Sequence, residues 1–64
     1  MKKIATFQMD GGERSAVYQD NKSFLVRFWN KDGVHMDASD YHTKNLADAM
    51  NEAGEEHPEC VRID

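Results

Sequence analysis

Residues 24–29 read Phe-Leu-Val-Arg-Phe-Trp, the strongest period-two stretch in a chain of 64 residues. A strand sends successive side chains to opposite faces, so Phe24, Val26 and Phe28 share one face and Leu25, Arg27 and Trp29 share the other. Both faces are therefore partly apolar. Turn-forming residues bracket the stretch: Asp20-Asn21-Lys22 precedes it, Asn30-Lys31-Asp32-Gly33 follows it, and Asp10-Gly11-Gly12 lies one interval upstream. Residues of these types tolerate positive φ or bond their own backbone, and their regular recurrence is the spacing of an antiparallel meander.

Working outward, Lys3 to Met9 alternates as a strand, with Lys3, Ala5, Phe7 and Met9 on one side and Ile4, Thr6 and Gln8 on the other. Ser15 to Gln19 offers Val17 to one face and Ala16 and Tyr18 to the opposite one. Val34 to Asp37 is expected to close the meander as a short fourth strand. Further on, Leu46, Ala49, Met50 and Ala53 recur at i, i+3, i+4 and i+7, the stripe of an amphipathic helix of about three turns. Thr43 is the expected N-cap, with Asp40 an alternative one turn earlier. Gly54 supplies a left-handed end, and Pro58 blocks continuation. Glu59 to Ile63 then reads as a last strand with Val61 and Ile63 facing one way. The fold class is α+β: an antiparallel meander of three or four strands, one helix on one face, and a short C-terminal strand, in a single domain over residues 1–64. The expected core is Phe24, Val26, Phe28, Leu46, Met50 and Val61, joined by Phe7 or Ile4.

Size and charge narrow the function. A chain this short buries only about 60% of the surface its unfolded form exposes, which leaves little volume for an enclosed active site. No stretch has the length and apolarity of a membrane helix or a secretory signal, so a cytoplasmic protein is expected. The single cysteine, Cys60, cannot form an internal disulfide, which fits a reducing compartment. The net charge is −4 and is unevenly spread. Residues 1–31 hold six cations against three carboxylates, whereas residues 32–64 hold nine carboxylates against two cations. A net acidic chain repels a phosphate backbone at long range, which disfavours nucleic acid as partner and favours a protein.

Two sets of residues stand out as partner-binding. One helix on one face of a sheet leaves the other face uncovered, and that face carries Leu25, Arg27 and Trp29 with Tyr18 beside them. A rigid tryptophan next to an arginine and a leucine has the character of a protein interface, including one with a second copy of the chain. The same face, with Arg14, offers a second reading as a platform where aromatics stack single-stranded bases. On the helix, Asp48, Glu52, Glu55 and Glu56 form an acidic side; carboxylates spaced by helical turns can imitate phosphates on another protein's nucleic-acid site. The plain alternative for both sets is a solvated, half-buried surface.

The remaining chemistry does not assemble. His35, His42, His57 and Cys60 lack the paired spacing of a zinc site, so no metal or cofactor is expected. No serine sits in a nucleophile elbow, and Gly11-Gly12 lacks the lysine and hydroxyl of a phosphate-binding loop, so the expectation is a non-enzymatic protein.

The stretches Ser15-Ala16-Val17-Tyr18-Gln19-Asp20, Phe24 to Trp29, and Asp40-Tyr41-His42-Thr43 leading into Leu46-Ala47-Asp48-Ala49 resemble small accessory proteins of marine bacteriophages, particularly cyanophages. They span about two-thirds of the chain. The resemblance implies a compact early or accessory phage protein in the host cytoplasm, and it brings no functional residue with it. The order of hairpins, helix and final strand is also similar to that of small phage proteins that bind host enzymes such as RNA polymerase. The sequence thus points to a small protein-binding module acting on a host protein or through homodimerisation, with the acidic mimic and the single-strand binder as alternatives.

Overall fold

The computed structural model describes all residues, 1–64. Five strands form one sheet: β1 (Lys2–Met9), β2 (Arg14–Asp20), β3 (Ser23–Trp29), β4 (Tyr41–Thr43) and β5 (Cys60–Arg62). A single α-helix, α1 (Leu46–Ala53), lies between β4 and β5 in the chain. The spatial order is β4-β3-β2-β1-β5, and every neighbouring pair is antiparallel. This is the α+β meander read from the sequence, with α1 carrying the chain from one edge of the sheet to the other.

The register decides which side chains meet the helix. Val17 lies opposite both Val26 and Ala5, and Ser15 lies opposite both Phe28 and Phe7. These residues share the covered face, and Ala5, Phe7, Val17 and Val26 form the core with Ala49, Met50 and Ala53 of the helix. Three of the seven are alanines, so the helix can approach the sheet closely without leaving a void. Ile4, Phe24, Phe28 and Tyr41 pack around this centre. Ser15 is fully buried there, and its hydroxyl donates to the Ala53 carbonyl at 2.6 Å. That bond gives a partner to one of the helix's free terminal acceptors.

Local chemistry sets both ends of α1. Asn45 is the N-cap, accepting from the Asp48 amide at 3.0 Å. Thr43, the expected cap, belongs to β4, and its hydroxyl accepts from the Asn45 amide instead. Asp40 is turned away to His35. The helix therefore has eight residues, fewer than expected, and Leu46 at its first position is 42% exposed rather than in the core. Gly54 ends it at φ 118°, as read from the sequence. A Cβ at Gly54 would lie 2.6 Å from Cys60 Sγ, so the glycine is required by contact as well as by backbone conformation.

Two strand expectations are corrected. Val34 to Asp37 does not form a strand: one bridge, Trp29 to His35, follows the Asn30 turn, and Asp37–Ser39 then coil into a 3₁₀ turn. The fourth strand is Tyr41–Thr43, which pairs with Phe24, Leu25 and Val26. In β5, Cys60 and Arg62 lie opposite Met9 and Phe7 on the helix side, so Val61 points to the other face and is 62% exposed. Ile63 lies beyond the strand and is also exposed, so neither residue belongs to the core.

β1 contains an irregularity that its alternation conceals. Lys3 pairs with Tyr18 and Ala5 with Val17, which leaves Ile4 as an extra residue. A bulge of this kind reverses the alternation on either side of it. Lys3 therefore lies on the face opposite Ala5 and Phe7, not with them.

Candidate binding surface on the open sheet face

The centre of the face away from the helix is built from β1, β2 and β3, with His42 of β4 and the exposed Val61 of β5 at its margins. Its central floor is small and polar: Thr6 pairs with Ala16, and Gln8 with Arg14. Larger side chains rise at either end, with Tyr18 opposite Lys3 at one and Trp29 opposite Arg14 at the other. Small residues between large ones make a hollow. The result is an open groove of about 600 Å³, bounded beyond Trp29 by the Asn30–Gly33 turn. Asn30 fixes that turn, since its side-chain oxygen accepts from the amides of Asp32 at 2.9 Å and Val34 at 3.0 Å. The rim is thereby held in place, and Lys31 and Asp32 line the groove from it.

The charge lining this groove is opposite in sign to that of the chain as a whole. Three cations, Lys3, Arg14 and Lys31, line the groove against a single carboxylate, Asp32, on a chain whose net charge is −4. All three cations are exposed, and none is in an ion pair. Arg27 is different. Its Nε lies 3.9 Å from Asp40 Oδ2 and has no hydrogen-bond partner, while its guanidinium stands 5.6 Å from the Tyr18 ring centre. The Lys3 ammonium is 5.9 Å from the same ring. Tyr18 thus sits among cations that its π-face attracts. Trp29 is half-buried, with the His35 ring tilted against it at a centroid distance of 5.7 Å. His35 is in turn fixed by Asp40 at 2.9 Å.

The four residues expected on this face are all there, and they are not equivalent. Arg27, Trp29 and Tyr18 keep partial exposure. Leu25 is only 6% exposed, enclosed between Tyr18 on β2 and His42 on β4, so it supports the face without offering apolar area to a partner. The surface is consequently cationic and aromatic rather than greasy. Lys3, Thr6, Gln8 and Lys31 were not singled out from the sequence. Straight alternation places Lys3 on the opposite face and the Ile4 bulge brings it to this one, while Thr6 and Gln8 carry no signal beyond polarity. The consecutive lysines before Ile4 were the available clue, since straight alternation sends one of them to the core side.

The acidic set does not form a row. Asp48 is half-buried and accepts from the Tyr41 hydroxyl at 2.8 Å. That hydrogen bond, then burial, then the charges of Asp48 and Glu52 hold the Tyr41 phenol above its ordinary pKa. Glu52 is exposed in the last turn, whereas Glu55 and Glu56 lie past Gly54, outside the helix. The helix ends at Gly54, so Glu55 and Glu56 do not continue the helical spacing of Asp48 and Glu52.

Elsewhere, burial and then the Glu59 charge push the Cys60 thiol up, which disfavours the nucleophilic thiolate. His57 Nδ1 accepts from the Glu59 amide at 3.2 Å. No three His, Cys, Asp or Glu side chains converge where they could hold a metal ion. No helix is long and apolar enough to cross a membrane. Comparison of the chain with protein-family models, with curated proteins and with solved structures found no match.

Proposed function

We propose that the protein is a non-enzymatic binding module whose working surface is the open face of its sheet, and that it takes an anionic partner there. The observation that carries this reading is the set of unpaired cations, Lys3, Arg14 and Lys31, gathered around one groove on an otherwise acidic molecule. Charges left without partners can meet a ligand without breaking an existing ion pair, on a backbone that the sheet and the Asn30 turn already hold. A shallow groove open to water suits association better than bond-breaking, which requires water to be excluded.

A second copy of the chain fits this face poorly, because a two-fold contact would set each cluster of cations against its own image. The acidic mimic has lost the alignment on which it depended. As an accessory phage protein, the module would act on a host component in the host cytoplasm.

Amide chemical shifts followed during addition of polyglutamate, and separately of a single-stranded oligonucleotide, test this reading. With at least one of them the shifts should concentrate at Lys3, Thr6, Arg14 and Trp29 and spare α1. Shifts confined to the helix side, or none with either polymer, would contradict it.

A further inference from the structure

We infer that the anion taken by the open face is a single strand of nucleic acid, an inference that rests on that face being the binding surface. Trp29 stands at the end of the groove with His35 against it and Arg14 opposite it on β2. A fixed indole beside a cation supplies what a nucleotide needs, a flat surface for the base and a charge for the phosphate. Thr6 and Gln8 on the floor add hydroxyl and amide groups within the same hollow, and Lys3 and Lys31 extend the positive charge to its two ends. Stacking on Trp29 requires an unstacked base, so a duplex does not satisfy the site.

An acidic peptide is the competing occupant, and the sheet edges speak against it. Extended peptides gain most by adding a strand to a free edge. Here β4 and β5 are three residues each. The uncovered part of β1 is broken by the Ile4 bulge, and the Arg62 guanidinium reaches the Ile4 carbonyl at 3.4 Å. Short, bulged and covered edges resist strand addition. A peptide laid across the face would meet the cations and leave the indole without a planar partner.

Trp29 is the only tryptophan, so its fluorescence reports the groove directly. The full-length protein is titrated with an oligothymidylate of about eight nucleotides, within the range that sheet platforms accommodate. Saturable quenching is expected. Three phosphate contacts on a single strand predict a slope of about −2 for log K against log salt, and Arg14→Ala should reduce its magnitude by about 0.7. Lys22→Ala, a change to an exposed lysine in the β2–β3 turn, should leave binding unchanged. A parallel titration with polyglutamate separates the two levels of the reading. Polyglutamate binding at the groove without oligothymidylate binding would overturn the nucleic-acid inference while the open face stood as the binding surface. Failure of both probes would overturn the inference and the proposed surface together.

Discussion

The hydroxyl of Ser15 shows how much one polar atom carries in a core this thin. It is fully buried and bonded to the Ala53 carbonyl, so Ser15→Ala leaves a helix-end acceptor unsatisfied without creating a large void. The expected loss is about 1–3 kcal/mol. In a domain of this size that lowers the thermal midpoint by roughly 4–8 °C per kcal/mol, measurable by circular dichroism. Gly54→Ala is expected to destabilise further, since it combines a positive φ with a clash against Cys60 Sγ. Adding Cys60→Ala should restore only the part due to the clash, which a double-mutant cycle in denaturant would separate. Tyr41 gives a pH signature. Its folded pKa lies above the ordinary value, so the stabilisation is complete below about pH 10 and is lost as pH rises through the folded pKa. The midpoint advantage of the parent protein over Tyr41→Phe should therefore shrink in alkaline buffer; a difference that grew with pH would refute the Tyr41–Asp48 bond. The left-handed end at Gly54 is legible in the sequence, but its approach to Cys60 and the Ser15 and Tyr41 hydrogen bonds are not. Ser15 reads as a polar residue at a strand end, and its partner lies 38 residues away.

Elements were more legible than their limits. The strict alternation of Phe24 to Trp29 gives its two faces, because an interior strand has one register that turns Phe24, Val26 and Phe28 toward the helix. Ala49, Met50, Ala53 and Gly54 were likewise readable from helical spacing and from glycine's freedom at positive φ. Short-range competition defeated the rest. Asn45 prevailed over Thr43 as N-cap because Thr43 was already committed to pairing with Phe24. Val34 to Asp37 alternates like a strand, yet Asp40 is drawn to His35 and Arg27 and the intervening residues coil. The apolarity of Val61 points to the core, whereas its pairing with β1 turns it to the opposite face. The cap is testable at this scale: Asn45→Ala should cost about 1 kcal/mol, and Thr43→Ala less, by chemical denaturation.

Across the whole molecule, the fold gathers three cations of the basic half around one groove. The sequence placed six of the eight cations before residue 32 but could not show that three of them line one groove, because Lys3 reaches it through a bulge and Lys31 through a turn. Net acidity argued against a polyanion at long range; the local arrangement argues for one at contact, where screening shortens the reach of the distant carboxylates. The account stands on an open sheet face that is accessible and locally positive around Trp29, and collisional quenching of that tryptophan measures both properties at once. Measured relative to a neutral free indole, quenching by iodide should exceed quenching by caesium at equal ionic strength, despite the net charge of −4. Stronger quenching by caesium, or an indole that neither ion reaches, would contradict it.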